Sequence, residues 1–223
     1  MPTWAFISFQ DRASPTIEQL TFFHDHSIII LTLVTILTLY VIVASYNIKS
    51  YNKTLLEGQE IETIWTILPA FLLIFIAIPS MKILYLMEES KDSVITVKVT
   101  GHQWYWSYEY ADFTEQENDR FIETSRKIRL LKCRDSITIP VNAPTRFLVT
   151  SADVIHSWAI PSMGVKADAS PGRLNQLIIQ RKRLGLFTGQ CSEICGANHS
   201  FIPIILEVLP TKNFSTFIRS INR

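Results

Sequence analysis

Two stretches of this chain, residues 27–45 and 63–81, carry no charged residue, and they constrain its fold more than any other feature. Each is close to the ~20 apolar residues that cross a bilayer core as a helix, the form that satisfies its backbone polar groups within one segment. Two buried core helices are the competing reading, but 223 residues leave too little protein to cover both. The 48% hydrophobic content and the mean hydropathy of +0.19 also exceed what an ordinary soluble domain carries. The stretch between the runs is short and polar, so they form an antiparallel hairpin. Pro69 and Pro79 would be costly inside a water-soluble helix but are tolerated as kinks among packed membrane helices. Thr32, Thr35 and Thr38 recur every third residue and either face a partner helix or bond their own backbone. The joining stretch holds Lys49 and Lys53, whereas the first 26 residues hold only Arg12 against Asp11, Glu18 and Asp25. The positive-inside tendency therefore puts the turn on the inner side and both termini outside. The start of the chain has neither a basic, acid-free presequence nor a signal-peptide layout.

From about Ser90 the pattern changes. Ile95, Val97 and Val99 alternate with Thr96, Lys98 and Thr100, a period-2 strand expected to stop at Gly101. Further strands are expected at 137–141, 146–150, 177–179, 184–188 and 202–208, broken by Pro, Gly and Asn. Only the tail, 213–221, has the pattern of a short amphipathic helix. This part reads as a small β-sandwich or barrel with its own core. Between Trp104 and Tyr110, seven residues carry five aromatic rings. Alternation points Trp104, Trp106 and Tyr108 to one face and Tyr105 and Glu109 to the other. A sheet face packed into the core explains about half of them; an exposed Trp at a strand end beside acids would serve contact or electron entry. Glu109, Asp112, Glu115, Glu117 and Asp119 follow with no base before Arg120, either as a solvated acidic loop or as a docking patch for a basic partner.

The chemistry concentrates at Cys191, Cys195 and His199, with a remote His156 ahead of Trp158. A bare Cys-x3-Cys also fits a disulfide outside the cytosol. With two imidazoles added, thiolate and imidazole donors select copper, zinc or iron–sulfur rather than magnesium or calcium. Two Cys and two His could hold one tetrahedral zinc, or two coppers bridged by both sulfurs with one His on each. Zinc fingers pair Cys-x2-Cys with closely spaced His, and blue copper uses a single Cys, so the binuclear copper reading fits best. Three Cys are too few for a disulfide framework, and Cys133 has no spacing partner.

These residues together resemble subunit II of the mitochondrial haem–copper cytochrome c oxidase family. The match runs through Glu60–Thr66, the aromatic run from Gly101, Asp153–Trp158, Pro171–Gln176 and Gly189–Ser200. The resemblance implies an N-terminal transmembrane α-helical hairpin followed by an all-β, cupredoxin-like Greek-key barrel. It also implies a binuclear copper A centre in the intermembrane space. Cys191 and Cys195 would bridge both coppers, His156 and His199 would each ligate one, and the Glu193 carbonyl would be a weak ligand. The Glu193 carboxylate would help bind a magnesium ion shared with subunit I. Trp104 falls at the family's electron-entry position, and Glu109, Asp112 and Asp153 at its contacts with cytochrome c. Glu62 falls at the mouth of a proton pathway shared with subunit I. The implied partners are cytochrome c, subunit I, the other oxidase subunits and inner-membrane lipid, with no role for nucleic acid. The implied layout is residues 1–26 in the intermembrane space, helices at 27–46 and 61–87, an inner loop at 47–60 and the copper A domain at 90–223.

The chain departs from the family pattern in two places. Ile202 stands where the family has its axial Met, either as a true substitution or as an AUA codon that many mitochondria read as Met; 30 Ile against 4 Met leave both open. Lys132 and Arg134 stand where acids are common, and from Ser90 onward 17 Lys and Arg outnumber 12 Asp and Glu. The alternative function is a membrane-anchored copper or zinc carrier, which would need neither Glu62 nor the acid–aromatic stretch around Trp104. A quinol-oxidising relative is excluded while the four ligands stand, because that branch lacks the copper site.

Overall fold

The fold was obtained as a computed structural model that describes residues 5, 7–49, 52–89, 92–113, 118–120, 130–131 and 136–221. Cys133, Lys132, Arg134, Glu115 and Glu117 lie outside the described residues, and of Asp119 only the backbone is described. The chain forms two compact units, Gln19–Leu86 and a second joining Met1–Glu18 to Met87–Arg223.

Two long helices, α1 (Pro15–Asn47) and α2 (Gln59–Glu88), occupy the apolar runs and are long and apolar enough to cross a membrane. Helix α1 starts well before its apolar run for a local reason. Ser14 accepts a hydrogen bond from the Ile17 N–H at 3.2 Å, and Pro15 follows with its φ already set for a helix. The hydroxyls of Thr35 and Thr38 bond carbonyls of their own helix, at Leu31 and Val34, as do those of Thr63 and Thr66 at Gln59 and Glu62. Of the two readings of the threonine stripe, the backbone one describes Thr35 and Thr38. Pro79 has no N–H to give the carbonyl of Phe75, four residues back. The His26 Nε2–H of α1 donates to that oxygen at 3.2 Å, so the neighbouring helix satisfies the group that proline frees.

The β-domain contains β1 (Ile95–His102), β2 (Tyr105–Tyr110), β3 (Asn118–Arg120), β4 (Ile137–Pro140), β5 (Thr145–Ser151), β6 (His156–Ile160), β7 (Val165–Ala169), β8 (Asn175–Ile179), β9 (Gly185–Gln190) and β10 (Pro203–Leu209). A helix, α3 (Thr211–Ile221), closes the chain and buries Phe214 and Ile218. The strands form a five-stranded sheet ordered β3-β2-β1-β5-β8, a three-stranded sheet β4-β10-β9 and a β6–β7 pair. Parallel pairing of β1 with β5 and of β4 with β10 requires chain crossovers that simple hairpins cannot supply.

Between the sheets the core closes on Trp106, Phe147, Trp158, Ile137, Ile139 and Ile204, all essentially inaccessible. Phe147 and Trp158 stack at 5.0 Å, and Trp158 donates its indole N–H to the Tyr108 hydroxyl. The Tyr110 hydroxyl accepts from the Thr138 N–H and donates to the Thr138 carbonyl, both at 2.9 Å, which ties β2 to β4 across the two sheets. The expected inward face thus holds for Trp106 and Tyr108, whereas Trp104 lies in the turn before β2 and is half-buried. A second expectation fails as well: β1 does not stop at Gly101 but runs through it to His102. Its pairing partners, Trp106 of β2 and Ser151 of β5, hold the glycine in the sheet on both sides. Strands β3 and β6 had no clear alternation to reveal them, whereas β7 carries a short one, Val165, Ala167 and Ala169 against Lys166 and Asp168, that the sequence reading passed over.

Candidate metal centre

Two features of the fold bring the four sulfur and imidazole donors together. The connection from β9 to β10, residues 191–202, carries three of them, and its base is pinned by Cys191 N–H to the Ile202 carbonyl at 3.0 Å. His156 opens β6, and the Ser192 N–H donates to the Ser157 carbonyl at 2.9 Å, fastening the loop to that strand. Glycine permits the approach of the two elements. A Cβ on Gly189 would stand 1.9 Å from the carbonyl oxygen of Ala159 in β6. A Cβ on Gly101 would meet the His156 ring at 2.9 Å, so β1 also gives way to the imidazole.

His156 is completely buried, edge-on to Trp106 with ring centroids 5.7 Å apart. Its Nδ1 lies 3.9 Å from Cys191 Sγ, while its Nε2 lies 2.8 Å from Asp153 Oδ1. The carboxylate fixes the tautomer with the proton on Nε2 and leaves the Nδ1 lone pair aimed at the sulfurs, the usual way an outer carboxylate orients a ligating histidine. Asp153 is itself held by the N–H groups of Gln103 and Val154, both at 2.6 Å. His199, in a short 3-10 turn, sits against the other thiol, its Nδ1 3.5 Å from Cys195 Sγ. Cys191 Sγ also lies 3.4 Å from the Glu193 carbonyl oxygen. Donor atoms of His156, Cys191 and Cys195 lie within 4.8 Å of one another, and both cysteines are free and buried.

The electrostatics make Cys191 the readier thiolate of the two. Burial alone would push the Cys191 thiol up, but the adjacent His156, which takes up the thiol proton at Nδ1, and the Glu193 and Ser157 backbone outweigh it and draw its pKa down to about 6. Cys195 goes the other way: burial and then the charge of the neighbouring Cys191 thiolate push it up. Burial disfavours a charged Asp153, yet the bonds from His156, Val154 and Gln103 prevail and its pKa falls. Burial would lower His156, but Cys191 and Asp153 together raise it.

The other residues singled out by the sequence are placed as follows. The Trp104 ring lies over Gly196, where a Cβ would stand 3.1 Å from the indole nitrogen; that nitrogen is buried without a partner among the described residues. Ile202 is fully buried, next to Cys191 through its carbonyl. Glu109 pairs with Lys98 at 2.9 Å, and Asp112 accepts the Thr96 N–H at 2.6 Å. All three acids taken for docking thus have local duties, and Asp153 is above all a support for His156. Glu193 is half-buried in the loop. Glu62 lies in the first turn of α2, away from the thiols in sequence and in the other compact unit, along a groove with Gln59, Thr63 and Thr66. The roles of Gln103 and of the glycines at 101, 189 and 196 escaped sequence reasoning, because the demand each meets comes from a segment about 30 or more residues away.

These features define a membrane-anchored β-domain with a thiolate–imidazole site of metal-binding type. The family model described as "Cytochrome C oxidase subunit II, periplasmic domain" matches residues 95–209, and "Cytochrome C oxidase subunit II, transmembrane domain" matches residues 2–83. Cytochrome c oxidase subunit 2 of Simulium vittatum is 52% identical, covering 100% of this chain and 99% of that one. The Drosophila yakuba protein of that name is 51% identical over the whole of both chains. The crystal structure of the periplasmic domain of subunit II of the Bradyrhizobium japonicum oxidase is 42% identical with a TM-score of 0.58, covering 59% of this chain and 96% of that one. A second structure is of a mixed-disulfide intermediate between a thioredoxin-like protein and subunit II of cytochrome c oxidase. It is 41% identical with a TM-score of 0.55, covering 60% of this chain and 95% of that one. The chain belongs to the cytochrome c oxidase subunit II family. It is accordingly a subunit of a terminal oxidase that works beside the other oxidase subunits, and its β-domain has the cupredoxin-like fold.

Proposed function

We propose that this chain is the electron-input subunit of the oxidase, taking electrons from cytochrome c for delivery to haem in subunit I. The observation that carries this is the pairing of donors: His156 with Cys191 and His199 with Cys195, with the Glu193 carbonyl beside Cys191. One imidazole per thiol suits two ions bridged by both sulfurs better than one tetrahedral ion, whose four donors would converge on one point. Cys191, Cys195, His156, His199 and the Glu193 carbonyl would hold a copper A pair, and the Glu193 carboxylate would face a magnesium ion shared with subunit I. When bound, two coppers sharing two thiolates spread one electron over both metals, so little geometry changes on reduction.

The protein's own task is rigid positioning. Asp153 aims His156, Gly189 and Gly101 let β6 and the loop meet, and burial keeps water from the sulfurs. Trp104, lying over Gly196 beside the loop, is the electron-entry side chain of this reading. In the proposed setting, residues 1–26 lie in the intermembrane space, helices 27–46 and 61–87 cross the mitochondrial inner membrane among its lipids, 47–60 turn inside, and 90–223 form the outer domain. Glu62, at the inner end of α2, would stand at the mouth of a proton pathway shared with subunit I.

The division of labour around Trp104 tests the reading. Glu109→Gln together with Asp112→Asn is expected to raise the KM for cytochrome c severalfold and flatten its salt dependence, since a local acidic patch acts over a Debye length of ~8–10 Å. Asn at 112 still accepts the Thr96 N–H, so the change removes charge without freeing that backbone group. Trp104→Phe is expected to slow electron entry with the KM nearly unchanged. Identical phenotypes from the two variants would refute the assignment.

Ile202 makes a second expectation. A hydrocarbon side chain offers no lone pair, so the centre would form on its thiolates and imidazoles without the axial thioether. Losing a donor disfavours the oxidised state, so the potential should stand higher than in an Ile202→Met variant. Each ~59 mV is a tenfold bias toward keeping the electron on copper in this one-electron couple. Mass spectrometry of the 184–212 peptide first establishes whether residue 202 is Ile; redox titration of both forms then reads the shift, and equal potentials would sink the tuning claim.

A further inference from the structure

Gln103 sits in the turn between β1 and β2, and both ends of it reach the metal centre from outside. Its backbone N–H donates to Asp153 Oδ2 at 2.6 Å, and Asp153 Oδ1 holds His156 Nε2 at 2.8 Å. Its side-chain Nε2 donates to the carbonyl oxygen of Cys195 at 2.8 Å, a residue 92 positions away. The next residue, Trp104, lies over Gly196, and the amide of Gln103 lies over the same glycine, 3.2 Å from where a Cβ would be. One residue therefore joins the histidine arm, the cysteine loop and the entry tryptophan, three elements that reach the site from different parts of the chain.

We propose that Gln103 is a positioning residue for the metal centre, its side-chain amide clamping the Cys195 end of the loop to the turn that carries Trp104. The inference rests on the copper A reading and deepens it. Cys195 has its own N–H and carbonyl in an irregular loop, where no β-ladder holds them. The Gln103 amide supplies the missing bond to the carbonyl. Through the adjacent peptide it couples the placement of Cys195 to that of the tryptophan ring. Gly196 is then required twice over: its φ of +128° suits glycine, and its bare α-carbon lets the indole and the amide both reach the loop.

The test uses the intact oxidase carrying Gln103→Glu or Gln103→Met in this subunit. Both keep the length of the side chain and the backbone bond to Asp153, but neither donates to the Cys195 carbonyl at neutral pH. The expected result is an altered copper hyperfine pattern and about tenfold faster copper loss to a chelator, in the range typical for removing an outer-shell support. Electron entry should slow while the KM for cytochrome c and the melting temperature stay near those of the parent. A raised KM with an unchanged spectrum would make Gln103 a docking residue only and overturn the proposal. A lowered melting temperature with unchanged spectrum and copper retention would overturn it as well. A parent enzyme without a two-copper spectrum would instead defeat the copper A reading itself, so the two failures are distinguishable.

Discussion

Replacing Cys191 or Cys195 by Ser is expected to abolish the binuclear signal altogether. The parent protein, purified from its membrane, should hold two coppers in this subunit with one unpaired electron shared between them. In the copper A reading each sulfur would serve both metals, so neither thiolate alone would carry the pair. Serine oxygen is a hard donor that stays protonated at neutral pH, and it does not replace a soft thiolate toward copper. The two variants need not fail alike. Cys191 is the thiol drawn down by His156, so its loss should remove the first thiolate and lower copper uptake most. Cys195→Ser leaves Cys191, His156 and the Glu193 carbonyl together and should retain one copper with a localised spectrum. Copper analysis with electron paramagnetic resonance reads both. One copper, or stoichiometric zinc, in the parent would count against the assignment and favour a metal carrier.

Gly189→Ala is expected to be the most damaging single change in the β-domain outside the ligands. The new methyl would be 1.9 Å from the Ala159 carbonyl oxygen, 3.0 Å from its carbon and 3.3 Å from the Ile160 α-carbon. Every one of those atoms is backbone, so no side-chain rotation relieves the contact, and β9 must part from β6. Overpacking in a core costs about 1–3 kcal/mol, occasionally more, and a clash with backbone should reach at least the upper end. For a domain of this size the melting temperature should fall by on the order of 10 °C. Copper retention should fall with it, because Cys191 follows β9 and His156 opens β6. Gly172→Ala is the control: its φ of +73° imposes backbone strain of about 1–2 kcal/mol, but nothing lies within 4 Å of the new methyl. If thermal denaturation gave Gly189→Ala no larger loss than this control, the close approach of the two strands would not be the constraint argued for it.

The parts of this protein that were legible in its residues are those whose signal is local. Two charge-free runs declare their helices because a bilayer imposes the same demand on every residue along them. The alternation of Ile95, Val97 and Val99 declares a half-buried strand for the same reason of period. Cys191, Cys195 and His199 announce a soft-metal loop because the three donors are neighbours in sequence, His156 ahead of Trp158 offered a remote second imidazole, and the resemblance added the assignment of roles. What sequence periodicity missed was set by contacts between distant segments. Strand β6 is buried at every position, so no alternation marks it. Gly101 looked like a strand stop because its other role, making room for His156, is visible only once residues 101 and 156 meet. The resemblance implied a docking role for Asp153; what it did not reveal is that Gln103, Val154 and His156 surround the carboxylate, so that it also orients the His156 ring. Sequence determined which donors this chain possesses and that it is anchored by a helical hairpin. Tertiary structure alone decided which imidazole faces which sulfur, which carboxylate aims it, and which glycines leave room. Hydrogen-bond direction and van der Waals contact act over a few ångströms in space, wherever along the chain the partners lie.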